Sequence, residues 1–168
     1  NHDRIAELNL YDGKADRYFS GSPVPLAEEL RTWALGETEA ISSVTYPRER
    51  PYYVELSPEK TLPYELETIE IDTCYNKIFT PEMVAGHWKM ASQALNSVIL
   101  SQSMAIKIFG NAESAIGKHM TLMRRLNTSP ESTPKTGGIV YIIQAVMKDI
   151  PLNNSLDFIG LDISDYMA

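Results

Sequence analysis

The chain has 168 residues, with 15 Lys+Arg against 22 Asp+Glu and a formal net charge of −7. Hydrophobic residues make up 43% and charged residues 22%, which fits a globular core and excludes a disordered chain. The acidic balance disfavours a nucleic-acid binder or a protein held on anionic lipid by charge alone, and a single cysteine, Cys74, excludes an internal disulfide, a multi-cysteine zinc site and an iron–sulfur cluster.

Residues 4–11 predict a first strand through Ile5, Leu8 and Leu10, ended by Asp12-Gly13. Ser22 then suits a helix cap and Pro23 a first helical position. Leu26, Leu30, Trp33 and Ala34 follow helical spacing up to Gly36, which predicts a face that packs. Residues 39–46 predict a strand stopped at Pro47. Strand-like segments at 52–56 and 65–73 then lie among Pro47, Pro51, Pro58 and Pro63. This punctuation predicts two small sheets rather than one.

A short aromatic helix or turn is expected over 74–86, anchored by Tyr75, Ile78 and Phe79 and closed by Gly86. Ser97 to Leu100 reads as a buried strand. Ser101 caps a helix carrying Met104, Ala105, Ile108 and Phe109, with Phe109 expected as a core anchor, and Gly110 stops it. Asn111 to Gly117 is a tight connector in which Gly117 is expected at positive φ. Lys118 to Leu126 is a strand, 127–138 a Ser/Thr/Pro/Gly-rich loop, Gly138 to Met147 the strongest strand, and Leu156 to Ile163 a last one. No run approaches the length of a membrane helix. With no initiator Met and no signal peptide, the sequence reads as a piece of a longer protein.

Arrangements with chemical potential fail on spacing. Between Gly110 and Gly117-Lys118 six residues intervene where a phosphate-binding loop needs four, and His119 stands where that loop needs Ser or Thr. Ser103 and Lys107 are four apart on a helix where the serine–lysine hydrolases need three, and Ser132 and Lys135 have the three-residue spacing but with Pro134 between them in a loop instead of at the start of a helix. His2, His87 and His119 are scattered, and the acidic Asp149, Asp157, Asp162 and Asp165 lack calcium-loop spacing. Asn127-Thr128-Ser129 and Asn153-Asn154-Ser155 fit a short glycosylation pattern. Trp33, Trp88, Tyr75 and Phe79, and the methionines at 83, 90, 104, 120 and 123, suit packing better than a ligand surface. A hydrolase would require Ser101, His119 and Asp149 within hydrogen-bond reach.

The string SVILSQSMAIKIFGNAESAIGK at 97–118 resembles a signature of the MacB-like periplasmic core domain, found in ABC-transporter permeases of the MacB/FtsX type. The resembling positions are Val98 to Leu100, Ser101, Ala105, Phe109-Gly110 and Ile116-Gly117-Lys118. Upstream, Asp72-Thr73, Tyr75, Phe79 and Gly86 fall in family order. Downstream, so do Tyr141 to Met147 and then Lys148-Asp149-Ile150-Pro151, Asn153, Ser155 and Phe158. The match covers about residues 65–160. It departs at Ala145-Val146, where Gly-Val is common, at His119, where a small or apolar strand residue is usual, and at Ala168, where the family's domain usually continues.

The resemblance implies an α+β fold. A porter-like βαβ part would come from the chain ends (1–51 and 139–168) and a mixed α/β part would be inserted between them (52–138). A single closed sheet, or an occupied cleft with reactive groups converging on a bound metabolite, would run against the whole reading of a passive element outside the bilayer. The resemblance also implies a non-enzymatic segment of an inner-membrane transport or efflux permease, facing the periplasm, with no catalytic, cofactor-binding or metal residues and no cofactor. Implied partners are a second permease subunit, a cytoplasmic ABC ATPase and a partner protein outside the membrane, with no nucleic acid. The alternative is an extracytoplasmic ligand-binding or sensor module.

Overall fold

A computed structural model describes residues 8, 10–19, 26–34, 36, 38–122, 138–150 and 165–167. The strand expected at 156–163, most of the 127–138 loop, Ser22-Pro23 and the two glycosylation patterns lie outside the described residues. The contacts divide the chain into two units, 1–43 with 74–80, and 44–73 with 81–168.

In the first unit, β1 (Leu10–Asp12) and β2 (Arg17–Phe19) form an antiparallel hairpin. Asp12 builds its turn, because Oδ1 accepts the N–H groups of Lys14 at 2.9 Å and Ala15 at 3.3 Å. Helix α1 (Leu26–Trp33) follows the predicted spacing and ends before Gly36, whose φ is +95°. Its expected packing face needs correction: no α1 residue is buried, and Trp33 is 79% exposed. Helical spacing fixes which residues share a face, not whether that face is covered. Helix α2 (Tyr75–Phe79) carries Tyr75 and Phe79 with ring centroids 4.6 Å apart.

The second unit begins with one long hairpin, β3 (Val44–Ser57) and β4 (Lys60–Ile71). Pro47 therefore does not end a strand. Pro51 pairs with Glu65 and Pro63 with Tyr53; among the described residues neither proline has a partner on its other side, so the missing N–H interrupts no second ladder there. Pro58 alone does what was expected of it, in the turn joining Ser57 to Lys60. Residues 83–86, expected within an aromatic helix, are instead β5 (Met83–Gly86). Helix α3 (Trp88–Gln93) follows, then β6 (Ser97–Ser101), buried along its whole length. Helix α4 (Gln102–Phe109), a short 3-10 turn at Glu113–Ala115, β7 (His119–Leu122), β8 (Ile139–Met147) and β9 (Asp165–Met167) complete the unit.

These strands form one seven-stranded sheet ordered β5-β8-β6-β9-β4-β3-β7, and β7 also pairs with β8. Six strands thus pair in a closed ring, with β5 attached to β8. The expectation of two small sheets is corrected in part: the β1–β2 hairpin is a sheet of its own, but the proline-marked strands join the others in one large sheet. The prolines that suggested a division lie inside a continuous hairpin, and β8 is long enough to take β7 over 139–142 and β5 over 145–147. The α+β class holds: the sheet is mixed, with β6–β8 and β4–β9 parallel and the other pairs antiparallel.

The core joins Tyr52, Val54, Leu66, Val98, Leu100, Met120, Ile143 and Val146 of the strands to Ala105 and Ile108 of α4 and Ala112 and Ala115 beyond it. Ala105 and Ile108 are three apart, so both face inward. Phe109 stands one step round the helix and is half-buried at the margin, which corrects its expected role as anchor.

Candidate functional site

The central and downstream motifs, 97–118 and 141–149, meet at β8, and Gly86 pairs with it, whereas Tyr75 and Phe79 belong to the first unit. The last residue of β8, Met147, pairs with Met83 of β5 on one side and Ser101 of β6 on the other. At this end Ser101 caps α4 as expected: its backbone is extended and its Oγ accepts the Met104 N–H at 3.3 Å. Asp149 adds a second cap, with Oδ1 accepting the Ser103 N–H at 3.0 Å. A carboxylate here also meets the positive end of the helix dipole. Gly110 stops the helix at φ +86°, and its N–H donates to Ile106 O at 2.8 Å. At the other end of the segment, Gly117 has the expected positive φ, +78°. Gly117 N–H donates to Ile143 O at 2.8 Å and Ile143 N–H to Lys118 O at 2.9 Å, fastening the connector to β8.

This geometry disposes of a phosphate loop at 110–118. Ser114 N–H donates to Asn111 Oδ1, and the N–H groups of Ala115, Ile116 and Lys118 donate within the same turn. With Gly117 bound to Ile143, the amides of 114–118 all have protein acceptors, so none is left to cradle an anion.

The Ser101, His119, Asp149 trio does not assemble. Ser101 and Asp149 meet α4 at one end of β8, whereas His119 pairs with Ile142 near the other. Five residues of strand separate the two places, roughly 16 Å at strand rise. His119 Nδ1 instead lies 3.4 Å from Glu55 Oε2, both side chains well exposed. Ser103 Oγ lies 3.4 Å from Ser101 Oγ, and no contact brings Lys107 to it. His87 precedes α3 with no side-chain cap bond, and His2 is outside the described residues. Among the described residues, no three His, Cys, Asp or Glu side chains cluster as metal ligands. No described helix is long and apolar enough to cross a membrane.

The aromatic and methionine residues are also dispersed. Tyr52, Tyr75, Met120 and Met147 are buried, while Trp33 and Met90 are exposed.

Two polar clusters had no sequence signal. Arg50 forms an ion pair with Glu70 beside Tyr141, whose ring meets Tyr52 edge-on at 6.3 Å. Burial raises the Tyr141 pKa, with Arg50 opposing and Glu70 adding to the rise. Lys148 Nζ donates to Glu82 Oε2 at 3.0 Å. The partners of Asp149 and Lys148 are 46 and 66 residues away, beyond the reach of any local pattern.

No family model matches the chain, and no curated protein matches it. Solved structures do. A domain assigned to a permease of Porphyromonas gingivalis superposes with a TM-score of 0.61 at 20% identity, over 90% of this chain and 54% of that one. The periplasmic region of MacB from Actinobacillus actinomycetemcomitans superposes with a TM-score of 0.51 at 16% identity, over 94% of this chain and 61% of that one. The chain thus spans between half and two thirds of the length of each. Its fold is that of the MacB-like periplasmic domain.

Proposed function

We propose that this chain is the extracytoplasmic domain of an ABC-transporter permease of the MacB type, and that it transmits movement rather than performing chemistry. One observation carries the reading: the fold is shared along nine tenths of the chain with a permease domain, and the central and downstream resembling motifs meet at β8 as caps and strand ties. A cap, a helix stop and a ladder of strands hold shape. They supply no nucleophile, no general base and no free anion cradle. In this reading ATP is hydrolysed by a cytoplasmic ATPase, a second permease subunit stands beside the first, and the segment faces the periplasm of a cell with an inner membrane. Movement reaches the domain through membrane helices and biases it between two states, acting on a substrate or partner protein outside the bilayer.

The division into a porter-like part (1–51 and 139–168) and an inserted part (52–138) is proposed on the resemblance alone. It is distinct from the two contact units, in which 139–147 shares a sheet with 52–54 through β7. The closed sheet is one of the two observations expected to run against a passive element outside the bilayer. It leaves the whole-chain superposition, on which the reading stands, unaltered.

The test is the topology of the full-length gene product. Membrane-spanning helices on both sides of this segment, with reporter fusions placed in the segment active only outside the cytoplasm, are the expected result. A full-length protein recovered free of membrane, or a segment accessible only from the cytoplasm, overturns the reading.

A further inference from the structure

The chain leaves β8 at a point held from both sides. Met147 pairs with Met83 of β5 and with Ser101 of β6. The next residue, Lys148, grips Glu82, which directly precedes β5: its backbone N–H donates to Glu82 O at 2.8 Å and its Nζ to Glu82 Oε2 at 3.0 Å. The residue after that, Asp149, grips α4, which directly follows β6, through the Ser103 N–H. Two successive side chains therefore fasten the strand's exit to both of its neighbours.

Equilibrium stability is a poor account of this arrangement. The Lys148 and Glu82 side chains are 59% and 70% exposed, and exposed ion pairs contribute little. The arrangement matters when the strand is pulled. A strand drawn out from its end breaks its ladder one bond at a time. A strand whose end is tied to both flanks passes the load to them at once. We propose that Lys148 and Asp149 form a clasp that delivers tension on the chain beyond Ile150 into β5 and α4 together, and so prevents β8 from peeling. The inference rests on the reading above in that a permease supplies the tension, and it concerns load that reaches the chain between Ile150 and β9, which itself pairs with β4 and β6.

Constant-force optical tweezers on the 168-residue chain test it, with Cys74→Ser removing the native thiol. Handles on Glu59→Cys, in the β3–β4 turn, and Asn153→Cys load the exit. Handles on Glu59→Cys and Glu113→Cys load the same unit without it. In the Lys148→Met/Asp149→Ala variant the lifetime under load through residue 153 is expected to fall about tenfold or more, the scale of a lost charge-assisted hydrogen bond. Through residue 113 it is expected to stay unchanged. Asp149→Asn keeps an acceptor oxygen without the charge and is expected to lie between. An equal fall through both handle pairs makes Asp149 an ordinary helix cap and overturns the clasp, as does no fall in either. The measurement needs neither membrane nor ATPase, so its failure leaves the topology experiment to judge the permease reading by itself.

Discussion

Substitution of Gly86 by alanine probes the junction of β5 with β8. A Cβ at Gly86 would lie 2.2 Å from the Gln144 carbonyl oxygen and 2.8 Å from the Ala145 Cα, both backbone atoms that no rotamer change can move. The residue's φ of +67° adds the left-handed penalty, about 1–2 kcal/mol for an L side chain. Relief of the clash requires β5 to move off β8, which forfeits one or two ladder bonds at about 0.5–1.5 kcal/mol each. The total is about 1.5–5 kcal/mol. Gly117 is the internal control: its φ is +78°, yet nothing lies within 4 Å of the added carbon. Gly117→Ala should therefore cost only the backbone strain, about 1–2 kcal/mol. Urea denaturation followed by circular dichroism measures both. Hydrogen exchange should show loss of protection at the Lys148 amide, which bonds Glu82 O, in the Gly86 variant alone. Equal destabilisation by the two substitutions would refute the close approach of β5 to β8.

Further outcomes follow from burial and capping. Leu100→Ala should cost about 3 kcal/mol, because Leu100 is fully buried, whereas half-buried Phe109→Ala should cost less despite its larger side chain; urea midpoints give the order, and the reverse order returns Phe109 to the core. Ser101→Ala should cost about 1 kcal/mol by the same assay, and Ser101→Gly only a few tenths, as expected of a cap. Tyr141 has its folded pKa raised above 10.0, chiefly by burial, so its neutral form is favoured in the folded state. Its contribution is present below the ordinary tyrosine range and lost as pH rises through it. Stability measured from pH 8 to pH 11 (range set by the reference tyrosine pKa of about 10) should fall more steeply for the parent than for Tyr141→Phe, and parallel curves would contradict the assignment.

What was legible in the sequence was local. The β6–α4–Gly110 segment carries its own start and stop: a buried apolar run, a serine whose Oγ reaches the third residue on, and a glycine at positive φ. The non-local features were hidden. Nothing in Pro47 or Pro51 tells whether a second strand lies alongside, and that neighbour decides whether a proline breaks a strand. β5 is four residues long and bulged, too short for alternation to show. The spacing of α1 identified a face, and the fold leaves it half-covered. At the candidate site, Ser101 was readable as a cap because its partner is three residues away, whereas Asp149, singled out by the resemblance, gave no sign of capping α4 because its partner is 46 away.

The placement of β8 has a consequence for synthesis. Among the described residues β6 pairs with β8 and β9 alone and β5 with β8 alone, and all of those partners come later in the chain. As the polypeptide emerges from the ribosome, the strongly apolar Val98-Ile99-Leu100 must wait for 42 further residues before Ile142, the first β8 residue paired with β6, appears and its ladder can begin. A nascent chain stalled in that interval exposes an unsatisfied strand, so chaperone capture should concentrate there.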